Sequence, residues 1–483
     1  MITDEIFLAI SVTNPLVDGF VYMNARNEDS TTMRMFFSTA WWLVLLSCLG
    51  GLGANAQEPL TLRRAIEQAL GASPDAKLAN ASSGEAKADA KLARTQLLPQ
   101  ISFTEDISRG DDPVYVFGAK LRQQRFAQAD FDVNALNRPL PSGNFATRVS
   151  GSWLAFDSFK TQRMIHSADL MRKSADSSAK AVDQRIVLDV VQAYQSVLYA
   201  ERQIAIAQHE QETAEALLSS VDDHVKAGLA VESDSMSAQV NVAARKQEMI
   251  AAQGGLELAW AQLRVAMGTP NLQETRLEAI EVHQFPQAVL NDELEIAFKS
   301  RSDLAALGQA QSAQAATASA AKLDFGPRVS AYGNWEQDRP TFAGSGGNNW
   351  VAGVQVGIDL TPFGKRAQIA KEAAAKARVD AQLSAYQQQV RLQVTQSHIQ
   401  RQTAQQSLET ASTALDQSAE SLRILKNRYG AGLATITDLL RAEDAERQSQ
   451  TNYWQAVYGD AVAYAQLLFA QGTLTPDAAE GLQ

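Results

Sequence analysis

Two stretches of this chain, about Thr161–Asp222 and about Lys365–Tyr429, run for roughly 60 residues each without a proline or a glycine. At 1.5 Å per residue, each predicts a helix about 90 Å long. Helical patterns longer than about 25 residues point to coiled coils or helical repeats, not to ordinary globular helices. In the second stretch Leu408, Ala411, Leu415, Ser418, Leu422, Leu425 and Tyr429 recur three and four apart, the spacing of a coiled-coil seam. Only 7% of residues are aromatic and 20% charged, and Gln, Ala and Ser crowd these regions. That composition suits long exposed helices with a narrow apolar stripe.

Each long run ends in the same punctuation. "AGLAVESDSMSA" begins at Ala227 and "AGLATITDLLRA" at Ala431, an offset of 204. Trp260-Ala-Gln-Leu and Tyr464-Ala-Gln-Leu share that offset, as do Gly268 and Gly472. Upstream, the stretch from Ser73 resembles that from Arg301, with Asp75 matching Asp303 and Pro99 matching Pro327 at an offset of 228. The chain is therefore an internal duplication, with roughly two dozen extra residues in the first copy, between Gly110 and Asn144. Gly228 and Gly432 can take positive φ after a helix end, so "AGLA" marks where each long helix reverses. Ser233, and Thr435 or Thr437, offer caps for the next helix. Shorter helices follow, about Glu232–Met267 and Thr435–Phe469, antiparallel to the long ones. Ser73–Leu97 and Asp303–Leu323 have the length to cover the remaining half of each long helix. Each copy is thus a long helix zipped to two short helices stacked end to end.

After Pro99 and Pro327 the period changes to two. Ile101, Phe103 and Ile107 alternate with Ser102, Thr104 and Asp106. Phe145, Thr147, Val149 and Trp153 alternate with Ala146, Arg148, Ser150 and Ser152. Trp350 to Leu360 repeats the pattern, and Arg328–Trp335 is a weaker fourth case. Each is about ten residues, enough for a tilted strand to cross a bilayer. Taken alone, each also fits a soluble hairpin. Four strands are too few for a membrane barrel, whose practical minimum is about eight, and open edges are not tolerated in lipid. A barrel must then be shared between copies, and a cyclic trimer would supply about twelve strands.

Arg34 and the apolar run "FFSTAWWLVLLSCLGGLG", ending in "ANA", read as an export signal cleaved after Ala56. The residues before Met33 carry no signal-like features, so Met33 or Met35 is the expected initiator. Cys48, the single cysteine, offers lipid acylation as an alternative, although Leu46 fits a lipoprotein signal poorly. The expected division is 1–56 extension and signal; 57–267 first repeat with a strand pair about 99–156; 268–300 an equatorial connection; 301–472 second repeat with a strand pair about 327–360; and 473–483 a tail. The fold class is mainly α with membrane β: a coiled-coil helical barrel plus a transmembrane β-barrel.

Here the sequence resembles the TolC family of outer-membrane efflux channels, over about 60–470. The resemblance rests on "KAGLAVESD" and "YGAGLATITD", on the strand entries at Pro99 and Pro327, and on the strand exits "LAFDSFK" and "LTPFGK". It implies a homotrimer in outer-membrane lipid, working with a periplasmic adaptor protein and an inner-membrane pump as an exit duct for efflux or type I secretion. Adaptor docking maps onto Gly228, Leu229, Gly432 and Leu433. A pore-facing carboxylate maps onto Asp234 and Asp438. Where the family's second tip often adds another Asp, this chain has Arg441. The surplus Asp111–Ser142 is expected outside the cell, forming a short helix over the mouth, as is the loop "DRPTFAGSGGN" from Asp338.

The net charge of −11 argues against nucleic-acid binding. His166, His209, His224, His283 and His398 are scattered without metal-ligand spacing, and neither HExxH nor a phosphate loop occurs. No enzyme, cofactor or metal site is expected. The carboxylates follow helix faces, the usual pattern of solvation. A periplasmic adaptor or a coiled-coil envelope protein remains the alternative, but neither would need a duplicated unit with two bilayer-length strand pairs.

Overall fold

A computed structural model describes residues 59–278 and 289–481. The signal sequence, Cys48 and His283 lie outside the described residues. In chain order the elements are α1 (Leu62–Ala72), α2 (Pro74–Thr95), β1 (Gln100–Gly110), α3 (Pro113–Arg122), α4 (Val133–Asn137), β2 (Ser142–Phe156), α5 (Lys160–Lys226), α6 (Glu232–Ala266), α7 (Leu290–Ser300), α8 (Ser302–Leu323), β3 (Arg328–Arg339), β4 (Gly347–Gly357), α9 (Pro362–Gly430), α10 (Ile436–Gln471) and α11 (Pro476–Glu480). A 3₁₀ turn, Gln128–Phe131, precedes α4.

The two long helices, α5 and α9, have 67 and 69 residues. α6 folds back along the distal half of α5, and α10 along that of α9, while α2 and α8 cover the proximal halves. Over 408–429 of α9 the seam residues Leu408, Ala411, Leu415, Ser418, Leu422, Leu425 and Tyr429 are half-buried, and apart from Ser412 the residues between them are exposed. Burial therefore follows the heptad spacing.

The short helices meet end to end at two glycines. Gly268 and Gly472 follow the ends of α6 and α10 with φ of 63° and 73°. A Cβ on Gly268 would lie 3.0 Å from Ser73 Cα, and one on Gly472 would lie 2.7 Å from Arg301 Cα. Ser73 and Arg301 are the residues that open α2 and α8. Around the first junction lies the main core, built on Trp260, Tyr194, Leu263, Met267, Ile66 and Leu474. The Tyr194 hydroxyl donates to the Leu60 carbonyl at 2.7 Å and accepts from the Glu278 amide at 3.0 Å. It thereby fixes the parallel bridge between Leu60 and Leu277.

The four strands form one antiparallel sheet in the order β1-β2-β3-β4. Its register aligns Phe103, Val149, Trp335 and Trp350 in one row across the sheet. Trp350, Ala352, Val354, Val356, Ile358 and Leu360 continue that face down β4 and past its end, and Val354, Val356, Ile358 and Leu360 are more than half exposed. The opposite face is polar and partly buried, with Asn144, Arg148, Ser150, Asn334, Glu336 and Asp338. Apolar residues outward and polar residues inward invert the pattern of a soluble sheet and match a strand set solvated by lipid. At about 3.4 Å per residue and a tilt of about 40°, Trp350 to Leu360 spans roughly 25 Å, the height of such a band.

The extra residues of the first repeat pack on the polar face. Gln123, 3% exposed, donates to the Asn144 side chain at 2.8 Å and to the Gly143 carbonyl at 2.9 Å. Asn144 donates to Asp338 at 2.7 Å, and Arg122 lies 3.5 Å from Glu336. Asp338 is fully buried and still within β3, so the loop read from Asp338 begins after Arg339 instead. Among the described residues, no helix is long and apolar enough to cross a membrane.

Candidate functional site: the paired turns and the charged node behind them

Both "AGLA" turns close in the same way. Leu229 N–H donates to the His224 carbonyl and Leu433 N–H to the Arg428 carbonyl, each at 2.8 Å. These bonds satisfy carbonyls at the helix ends, and they require positive φ at the residue between, where Gly228 has 72° and Gly432 has 71°. Leu229 and Leu433 are 78% and 68% exposed. They make no apolar seal within their own hairpins. The two turns are held side by side by a small apolar knot of Val221, Ala238 and Ile436, with Leu217, Val225, Tyr429 and Leu440 packed against it.

The second halves of the two turns differ. Thr435 caps α10, and Asp438 completes a reciprocal capping box, accepting from Thr435 Oγ1 at 2.7 Å and Thr435 N–H at 3.2 Å. These bonds, with Arg441 and Arg428 nearby, hold the Asp438 carboxyl below the usual range. In the first turn Val231 stands where Thr435 does in the second, so α6 has no side-chain cap. Ser233 lies inside α6 and Thr437 inside α10, so neither is the N-cap residue. Asp234 accepts no side-chain hydrogen bond among the described residues, and its charge pushes up the pKa of Tyr429, already raised by burial. Asp234 and Asp438 are therefore not equivalent. Arg441 is exposed, and among the described residues it forms no ion pair with Asp438.

Behind the turns lies a feature that the sequence reading missed. Arg245 on α6, 7% exposed, meets Asp444 on α10 at 2.5 Å and Glu248 at 2.7 Å. Arg447 lies 3.6 Å from Asp444 and 3.8 Å from Glu248. Glu210, Glu443 and Glu446 are buried beside this pair. Burial raises the Glu210 carboxyl, and neighbouring Glu446 raises it further. Burial also raises Glu443. These carboxylates are not solvated faces. Ile436, Leu439, Glu443 and Glu446 continue one three-and-four spacing down α10, so acids occupying seam positions were the available signal.

Among the described residues the histidines do not converge. His398 on α9 pairs with the buried Glu293 on α7 at 2.9 Å, while His166 and His209 are exposed. No group of three or more His, Cys, Asp or Glu among the described residues is placed to hold a metal.

A lipid-faced strand set mounted on long paired helical hairpins defines a membrane channel subunit with a helical extension. The chain belongs to the outer membrane efflux protein family, whose model matches residues 65–269 and 294–473, one segment for each repeat. It resides in the outer membrane, with its helical part in the periplasm, and its relatives are channels rather than enzymes. The fold is shared with a membrane protein from Pseudomonas aeruginosa, at 18% identity and a TM-score of 0.73 over 85% of this chain and 93% of that one. It is shared with the CmeC outer membrane channel of Campylobacter jejuni, at 16% identity and 0.73 over 85% of each chain. The MtrE outer membrane channel of Neisseria gonorrhoeae matches at 18% identity and 0.71, over 86% and 90%. No protein of curated function matches the chain by sequence.

Proposed function

We propose that three copies of this chain form one exit duct, which receives substrate from an inner-membrane pump through a periplasmic adaptor. Among the described residues, β1 and β4 each leave one edge unpaired within the chain. Lipid does not tolerate such edges, and pairing β4 of one copy with β1 of the next removes them. Gly228, Leu229, Gly432 and Leu433 are the adaptor contact. Asp234, Asp438 and Arg441 line the constriction at the same end.

The observation that carries this reading is the pair of exposed leucines. Leu229 and Leu433 sit side by side on equivalent turns and leave their apolar surface open to a partner. The test is the double variant Leu229→Asp with Leu433→Asp. It is expected to remain a membrane-inserted trimer of heat-modifiable mobility that no longer crosslinks to an adaptor hairpin or sustains efflux. Loss of the trimer, or unchanged efflux, refutes the docking role.

A further inference from the structure

The strand-to-helix corner occurs once in each repeat, as Phe156 to Lys160 and as Leu360 to Lys365. Both corners turn an aromatic ring outward. Phe159 is 60% exposed and Phe363 is 83% exposed, with Leu360 also at 83%. In the first corner the backbone is strained around that ring. Ser158 and Phe159 have φ of 60° and 67°, a region that residues other than glycine enter at a free-energy cost. Ser158 Oγ bonds the Pro327 carbonyl at 2.9 Å, and Phe156 meets Phe159 edge-on at 5.4 Å. The corner thus holds a ring away from the protein that hydrophobicity alone would fold inward.

One turn along each helix comes an exposed arginine. Arg163 is four residues after Phe159, which caps the start of α5, and Arg366 is three after Phe363 within α9, so each lies about one turn from its aromatic. Neither forms an ion pair among the described residues. The nearby acids are already engaged. Asp157 accepts from Thr161, Asp324 holds Lys160 at 2.5 Å, and Asp359 lies 3.3 Å from Lys365. Both corners lie at the lower end of the apolar band, on the side of the long helices.

We infer that each corner is a docking site for anionic phospholipid headgroups of the periplasmic leaflet, the ring seated at the acyl boundary and the arginine on the phosphate. Aromatic rings and long cationic side chains partition to this level of a bilayer, and a guanidinium matches a phosphate in a two-pronged fashion. The inference rests on the channel reading for its leaflet. Phosphates of the opposite leaflet lie at the other end of the strands, out of reach of Arg163 and Arg366.

The test uses the trimer in nanodiscs of equal phosphatidylglycerol and phosphatidylcholine, with retained lipids counted by native mass spectrometry. Phosphatidylglycerol is expected to be enriched several-fold on the wild type. Arg163→Gln with Arg366→Gln is expected to abolish that enrichment and leave an intact trimer. Equal retention of both lipids by the wild type overturns the proposal, as does undiminished enrichment in the variant. Loss of the trimer assigns the arginines to contacts between copies and also overturns it. Failure of the wild type to enter nanodiscs refutes the channel reading itself.

Discussion

Arg245 and Asp444 lie 2.5 Å apart, and they belong to the shorter helices of different repeats. Their bond crosses from one hairpin to the other, a few turns behind the two exposed leucines. Arg245 also offsets the buried charge of Glu210 and Glu443. Replacing it with methionine keeps most of the packing volume and leaves the carboxylates uncompensated. A charge-assisted bond of this kind contributes about 1.5–3 kcal/mol. Arg245→Met is expected to lower the melting temperature and to free the tips, read as a larger open fraction in planar bilayers. A melting temperature equal to the wild type would show that the hairpins are held by the apolar knot alone.

The same node sets an expected pH response. Glu210 faces Glu446, Glu443, Arg245 and His209, and Glu443 faces Lys426, Arg245 and Asp444. Both carboxyls are raised in the folded state, so the fold binds their protons more tightly than the unfolded chain does. Their contribution is full below the ordinary carboxylate range and is lost as pH rises through the elevated folded values. Mild acidification from neutrality should therefore tighten the two hairpins. Asp438 and Asp303, held low, act in the opposite sense only below the ordinary range. Glu210→Gln with Glu443→Gln is expected to raise the melting temperature at neutral pH and flatten its rise towards pH 5. A wild-type melting temperature constant across that interval would contradict this account.

Gly472 and Gly432 separate two uses of glycine. Both have positive φ, at 73° and 71°. A Cβ on Gly432 meets nothing within 4 Å, whereas one on Gly472 presses on the backbone of Arg301. Arg301 is buried, bonded to Asp303 at 2.6 Å and to the Ala470 carbonyl at 3.2 Å. Gly432→Ala should cost about 1 kcal/mol for the φ alone. Gly472→Ala should cost at least twice that, because the α10–α8 junction must also shift. Thermal melts of the two variants would decide, and equal losses would mean that the junction yields freely.

These comparisons show which parts of the molecule the sequence carried openly. The long helices announced themselves because nothing broke a 3.6-residue period for roughly 60 residues, and the turns because a glycine followed each. The strands were legible because lipid on one face and polar groups on the other enforce strict alternation, as in Trp350 to Leu360. α7 went unread, since Leu290–Ser300 is only 11 residues and borders a segment without periodicity. The sequence shows α3 only as a short helix over the mouth, without its contacts, because Gln123 meets Asn144, and Asn144 meets Asp338, through pairings remote in sequence. Glu443 reads as surface charge for the same reason: the packing of one hairpin on the other is what buries it.

α3 and the residues after it cover the polar face near the outer end of β2–β4, an arrangement secured by Gln123. In a shared barrel that face lines the lumen, so the segment would narrow the mouth. Gln123→Ala removes bonds to a buried Asn144 and leaves Asp338 with less support, a loss of roughly 1–3 kcal/mol at this contact. The variant is expected to conduct more in planar bilayers, with noisier openings, and to admit larger polyethylene glycols. Conductance identical to the wild type would place the segment clear of the path.

The inequality of Asp234 and Asp438 gives the last expectation. A symmetric ring of six carboxylates would have both facing the pore in each of three copies. Instead Asp438 is bound up in the capping box with Thr435, and Val231 leaves Asp234 without a cap to make. In the proposed trimer, Asp234 is therefore the residue free to set the field at the constriction, where low-dielectric walls would strengthen like-charge repulsion and draw cations. Asp234→Ala is expected to reduce cation preference with little change in melting temperature. Asp438→Ala is expected to do the reverse, fraying the start of α10 while leaving most of the selectivity. Because Asp438 is held low, its contribution persists above the ordinary carboxylate range and fades as pH falls through its depressed value. Arg441 has no ion-pair partner within its own chain among the described residues, so Arg441→Ala should leave the melt unchanged and alter gating only through a neighbouring copy. Reversal potentials in a salt gradient separate the two aspartates, and an unchanged reversal potential in Asp234→Ala would remove that residue from the pore.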